Sequence, residues 1–213
     1  DDEGVKCQAV LANHDADSEA IINVVQGIVL SDGLTLTPAQ VTAWAAGITA
    51  GASITTSNTG AKYVGAIDVA DRMTKSEMET AVDDGKFIFK VDSAQNVTVV
   101  YDINSLTAIT EEKGKIYKKN RVIRTIDNIA NDISNIFESN YVGKINNTED
   151  GRSLLKGALA DYFATLQSMN AIQNFNPDDI TISAGNDSDA VVITVAIQIV
   201  DSVEKLYITV NLS

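Results

Sequence analysis

The sequence is poor in the residues that do chemistry. Its 213 positions include one cysteine, Cys7, and one histidine, His14. A single thiol leaves no intrachain disulfide, and a single imidazole leaves no His-rich metal site. A nucleophilic triad needs a base beside its nucleophile, and no serine has a Gly-x-Ser-x-Gly setting. Gly51-Ala52-Ser53-Ile54-Thr55 lacks the closing glycine. Cys7 and His14 could pair as a dyad in principle. Cys7 falls in an apolar strand, however, where a thiol is ordinarily buried and inert, and His14 reads as a polar loop residue. There is neither a phosphate-cradling Gly-rich loop ending in Lys-Ser/Thr nor a dinucleotide fingerprint. Aromatics make up 6% of the chain, and Trp44 with scattered tyrosines forms no platform for stacking bases. Bases are scarce too: 16 against 29 acids gives a net charge of −13, which opposes approach to nucleic acid or an anionic membrane. The longest uncharged stretch, Gly33 to Ala61, is interrupted by Thr, Ser, Asn and Gln. It has too few large apolar groups to favour a bilayer core. Residues 1–25 have no basic region ahead of an apolar stretch, so no secretory signal peptide is expected. The expectation is no catalytic residue, no metal site and no cofactor, with neither nucleic acid nor membrane insertion among the partners.

What remains is globular material, 45% hydrophobic and 21% charged with mean hydropathy near zero, enough for one large domain or two small ones. The first residue is not Met, and Gly4–Leu11 reads as a strand with no partner before it. The sequence therefore reads as a piece of a longer protein. Asn13–Ser18 is rich in N-cap residues and predicts a helix over Ile21, Ile22, Val24 and Val25. Thr37 and Pro38 open a second helix whose Ala/Gly flank suits close packing. Thr74-Lys75-Ser76-Glu77 is a capping box for a third, ended by Gly85. Phe87–Val91 and Val97–Tyr101 flank Ser93–Asn96 as a hairpin. The spacing of Val122, Ile126, Ile129, Ile133, Ile136 and Phe137 predicts a long amphipathic helix. Asn146–Gly151 breaks that pattern, and a helix follows with Leu154, Leu155, Ala158, Leu159, Tyr162, Phe163 and Leu166. Three strands follow Pro177: Ile180–Ser183, Val191–Val200 and Leu206–Leu212. The fold class is α/β, or α+β, in two units with a boundary near residues 104–116.

The acidic pairs have ordinary explanations. Asp15 and Asp17 suit a helix N-terminus, while Asp83-Asp84 and Asp178-Asp179 read as surface and turn. Gly185–Asp189 resembles part of a calcium loop but lacks its ligand alternation and distal Glu, and a hairpin turn accounts for it. Two features stand out. Lys113, Lys115, Lys118, Lys119, Arg121 and Arg124 fall in a dozen residues without an acid, either a solvated linker or a docking patch for an acidic partner. Leu206-Tyr207-Ile208-Thr209-Val210-Asn211-Leu212 alternates cleanly, either as an internal sheet edge or as a strand donated to another subunit.

Lys115-Ile116-Tyr117-Lys118-Lys119-Asn120-Arg121-Val122-Ile123-Arg124-Thr125-Ile126-Asp127 makes a resemblance specific. The chain resembles the C-terminal part of contractile tail sheath proteins of Gram-positive myophages, defective prophages and R-type bacteriocins. The likeness continues through Gly151–Lys156, Asn170–Phe175 and Val200–Tyr207, and upstream through Gly65–Val69 and Tyr101–Leu106. It implies that residues 1–107 are the rear of a subtilisin-like α/β domain without a protease triad. Residues 108–213 would then be a helix–helix–β-sheet C-terminal sheath domain lying near the tail tube. It also implies sixfold rings stacked in a helical tube, with the tube protein and baseplate as further partners. Terminal extensions would be exchanged between neighbours, and assembly would take place in the bacterial host cytoplasm. On this reading Leu206–Leu212 supply the intersubunit strand, and Lys115, Lys118, Lys119 and Arg121, or else Arg152 and Lys156, face the tube. The rival readings are a hydrolase on the subtilisin-like half and a non-contractile virion or cell-surface binding module.

Overall fold

The structure, a computed structural model, describes residues 4–210. Its residues fall into two compact units, each built from separated stretches of chain. The larger comprises Cys7–Ile123 with the described residues from Asp201 on; the smaller comprises the described residues up to Lys6 with Arg124–Val200. The division between these compact units falls inside a helix, because the basic segment preceding that helix is hydrogen-bonded into the larger unit.

In the larger unit, β1 (Ala9–Ala12) pairs in parallel with β2 (Ile21–Val24). The predicted helix over Ile21–Val25 is thus a strand. Ile21, Ile22 and Val24 are β-branched and stiff at χ1, which favours a pleated surface over a helix despite the cap-like residues before them. Those residues shape the connecting loop instead. The Asn23 amide donates to Asp15 at 2.8 Å and accepts from the His14 N–H at 2.8 Å, leaving His14 exposed in the loop. β3 (Ile28–Leu30), β4 (Thr35–Leu36) and β5 (Ala66–Val69) form an antiparallel sheet in the order β4-β3-β5. Helix α1 (Pro38–Gly51) begins at Thr37, and α2 (Lys75–Asp83) begins at Thr74. Both are held by reciprocal capping boxes as the sequence predicts. β6 (Lys86–Phe87) joins β2 in parallel, and β7 (Phe89–Val91) pairs with β8 (Val97–Val99) as the expected hairpin. Gly85 has φ +75°, and a Cβ there would meet the Ser105 carbonyl oxygen at 2.7 Å, so the turn from α2 into β6 excludes side chains. Ile22, Val24, Ile28, Val41, Val69, Phe87, Phe89, Val97 and Val99 form the core. Trp44 stacks on Tyr63 at 4.4 Å and tilts against Phe89. Cys7 is exposed, contrary to its reading as a buried thiol, because it precedes β1 rather than lying within it.

The long helix α3 (Asn120–Asn140) is followed by α4 (Glu149–Ser168), which starts at Thr148 within the stretch that reads as a break. In the smaller unit Leu155, Leu159, Phe163 and Leu166 of α4 are buried, as is Ile129 of α3. Ile126, Ile133, Ile136 and Phe137 are only half-buried. The Tyr162 hydroxyl donates to Asp132 at 2.8 Å, joining α4 to α3. Lys6 exchanges two backbone–side-chain hydrogen bonds with Asn131. β9 (Ile172–Gln173), β10 (Ile180–Ala184), β11 (Val191–Val195) and β12 (Gln198–Ile199) make two antiparallel ribbons, β10-β11 and β9-β12. The expected strand over Val191–Val200 is therefore split. The Ala196 N–H turns to the Asp179 carbonyl, and the chain beyond it pairs with β9 instead.

Candidate functional site

The segment Tyr101-Asp102-Ile103-Asn104-Ser105-Leu106 is buried almost throughout, and its polar side chains organise the surroundings. Asp102 accepts from the Asn58 N–H at 2.8 Å and from the Asn120 amide at 2.8 Å, while its own N–H donates to Thr59 Oγ1 at 2.9 Å. The Asn104 amide donates to the Tyr117 carbonyl at 2.8 Å, and its N–H donates to the Lys118 carbonyl at 3.0 Å. These bonds fix two stretches at once, Ser57–Thr59 and Lys115–Arg121. Buried polar networks with every member paired define a single arrangement, and this one places two hydroxyls and an ammonium around a common point.

Glu204 occupies that point. Its carboxylate accepts from Lys119 Nζ, from Ser57 Oγ at 2.5 Å and from Thr59 Oγ1 at 2.7 Å. The side chains of Lys119 and Glu204 are 13% and 5% exposed, so water screens the pair little. Asp201 lies 3.5 Å from Lys119, and the ammonium also sits 4.0 Å above the Tyr101 ring. Burial pulls the Lys119 ammonium below the ordinary lysine range, opposed by Asp201. Arg121, also buried, donates from Nη1 to Ser202 Oγ at 2.6 Å, and burial lowers it as well.

Two of the basic residues expected on a surface are thus turned inward. Lys119 and Arg121 bind the chain's own residues 201–204, because Asp102 and Asn104 draw their segment against the core. Lys118 is half-buried and donates to the Asp83 carbonyl at 2.7 Å, whereas Lys115 is exposed. Arg152 and Lys156 stand one turn apart on α4, beside a shallow depression bordered by Glu149, Ser153 and β10. Arg152 donates to Asn147 Oδ1 at 2.8 Å, and the Asn147 amide in turn donates to the Ser188 and Ala190 carbonyls of the β10–β11 turn. Sequence reasoning missed Ser57, Thr59, Asp201, Ser202 and Glu204 as a group. Lys119 and Glu204 are 85 positions apart, and no local pattern links them.

Beyond the clasp the chain changes character. Leu206–Val210 joins no sheet, and its apolar members are 73–88% exposed. Asn211 and Leu212, the rest of the expected strand, lie outside the described residues. Leu206 and Tyr207 form one wall of an open groove of about 620 Å³ whose other lining includes Met78, Val82, Val100 and Tyr101. Among the described residues no group of three or more His, Cys, Asp or Glu could hold a metal ion, and no helix is long and apolar enough to cross a membrane.

Comparisons with known proteins place this mixed α/β fold. The chain belongs to the phage tail sheath family. The family model described as the phage tail sheath protein central domain matches residues 1–105, and that of the phage tail sheath C-terminal domain matches residues 112–213. The crystal structure of a sheath tail protein from Desulfitobacterium hafniense is 46% identical, with a TM-score of 0.87 over 98% of this chain and 49% of that one. The tail sheath protein of Clostridium phage phiCD119 is 33% identical over 82% of this chain and 48% of its own length. The anti-feeding prophage helical sheath in its contracted state shares the fold at 12% identity, with a TM-score of 0.75 over 97% of this chain and 61% of that one. The chain spans about half the length of the curated relatives it matches.

Proposed function

We propose that this chain is the C-terminal portion of a contractile tail sheath subunit, with a structural and not an enzymatic role. The subunit polymerises around a tail tube and contracts to drive the tube through a cell envelope. In this reading residues 1–107 are the rear of a subtilisin-like domain and residues 108–213 the C-terminal sheath domain. The partners are further copies in sixfold rings of a helical tube, the tube protein and the baseplate of a phage or phage-like particle. Assembly takes place in the bacterial host cytoplasm. The observation that supports the reading is Leu206–Val210, an alternating apolar segment with exposed side chains and no strand partner among the described residues. Such a segment is a template for pairing with another chain, where main-chain hydrogen bonds supply affinity and alternate side chains set the register. A head-to-tail contact of this kind that does not close produces helical assemblies. The contact with the tube falls to Arg152 and Lys156, or to Lys115 at the edge of the other cluster. Lys119 and Arg121 are committed to the clasp, and Lys118 to Asp83.

Negative-stain electron microscopy of the full-length protein, with and without residues 206–213, tests the proposal. Striated hollow tubes that disappear on truncation are the expected result. Tubes that survive truncation would assign the strand elsewhere. A full-length protein that stays monodisperse even with the tube protein present would overturn the sheath reading in favour of a non-contractile binding module.

A further inference from the structure

Residues 201–205 hold the larger unit in an unusual way, since no apolar side chain adds to their grip. Val203, at the centre of the segment, is 93% exposed. The attachment consists of Glu204 on Lys119, Ser57 and Thr59, of Asp201 on Lys119, and of Ser202 on Arg121. An apolar contact tolerates sliding, because dispersion and burial have no direction. A carboxylate shared by an ammonium and two hydroxyls, each positioned by a buried network, has one geometry. Removing one member of a buried pair leaves the other uncompensated, so the site is held closed by the cost of opening it. The last contact before the exposed run is weak: Lys205 Nζ lies 5.6 Å from the centroid of the Tyr101 ring.

We propose that the Glu204 clasp is the fixed root of the C-terminal segment and that the pivot of the segment lies at Lys205–Leu206. Its mechanical role rests on the intersubunit-strand reading above. When a strand in a neighbour's sheet is pulled by rotating bodies, the pull reaches this subunit through Glu204. The clasp, not the strand's own pairing, then sets how far the segment yields.

Nitroxide labels on exposed positions separate root from pivot. In full-length protein with Cys7→Ser, a label at Val203→Cys should be immobilised and one at Ile208→Cys mobile by electron paramagnetic resonance. Adding Glu204→Gln should shorten the correlation time at position 203 at least threefold and leave position 208 unchanged. Ser57→Ala should give an intermediate loosening, and it keeps the question answerable if Glu204→Gln impairs folding. A label at position 203 that is mobile from the start, or indifferent to both Glu204→Gln and Ser57→Ala, would overturn the proposal. Where wild-type tubes form, Glu204→Gln tubes should assemble but fragment on contraction, with less than half the wild-type yield of intact contracted sheaths. An unchanged yield would overturn the mechanical role. The label results are read on the subunit itself, so failure of the clasp and failure of the sheath reading show in different measurements.

Discussion

The two units bury their apolar residues to different depths. In the larger, Ile22, Val24, Ile28, Val41, Phe87, Val97 and Val99 are wholly inaccessible, and a polar network around Asp102 is buried beside them. In the smaller, Leu155, Leu159, Phe163 and Leu166 of α4 are buried together with Ala171, Ile172 and Ile180, and α3 keeps a half-buried apolar stripe. β11 alternates between half-buried and exposed positions along its length. Both units keep apolar surface in reserve, the smaller in the α3 stripe and at Leu154 and Val192, the larger at Leu206–Val210. In a family of assembly proteins, such reserve is where neighbours are expected to pack.

Paired substitutions would break or sharpen that contrast. The largest effect should come from the rings. Phe87→Ala and Phe163→Ala each remove a fully buried aromatic and should cost about 3–5 kcal/mol. Amide exchange should show Phe87→Ala loosening β2, β6 and β7, and Phe163→Ala loosening α4 and β9. Loss of protection in α1 and β2 on Phe163→Ala would mean that the smaller unit supports the larger, and the contrast would fail. A smaller effect should come from the helix starts. Thr74→Ala removes a reciprocal box with Glu77, whereas Thr148→Ala removes a single bond from the Gly151 N–H. Each should cost about 1 kcal/mol, the first more than the second, measured by urea unfolding.

The smallest effect concerns acid. Asp17 accepts from the Thr107 N–H and hydroxyl and from the Ala108 N–H, and those bonds draw its carboxyl below the usual carboxylate range. Asp92, Glu77, Glu19 and Asp68 are lowered as well, by the Asn96, Thr74, Lys113 and Arg72 hydrogen bonds respectively. All five belong to the larger unit. A carboxyl whose folded pKa is depressed stabilises fully above its unfolded value of about 4 and stops doing so as pH falls through the folded value. Melting temperature should therefore decline below about pH 4, and Asp17→Asn should flatten the decline. An unchanged slope would remove Asp17 from the account.

The sequence was most legible where structure is local. Thr37-Pro38, Thr74–Glu77, the 87–101 hairpin and the apolar spacing of α3 and α4 each depend on residues a few positions apart. β2 was misread for the same reason: Asp15, Asp17 and Ser18 have the chemistry of a helix cap. They serve a loop because Ile21, Ile22 and Val24 find β1 and β6 as partners, a tertiary fact. The clasp was illegible because Ser57, Lys119 and Glu204 come from three distant stretches that meet only in the folded chain, the first two positioned by Asp102. The unpaired state of Leu206–Val210 has a related cause, since alternation identifies a strand-forming segment and is silent on which chain holds its partner.

Trp44, the single tryptophan of the sequence, lies in the larger unit with its indole stacked on Tyr63 and tilted against Phe89. Its emission is therefore a one-site optical signal from that unit's aromatic core, while the backbone signal of α3 and α4 comes largely from the other unit. Light absorbed at the red edge of the protein spectrum addresses half the molecule without a dye. The order in which the two halves lose their structure is thus written into two ordinary spectra of the unmodified chain.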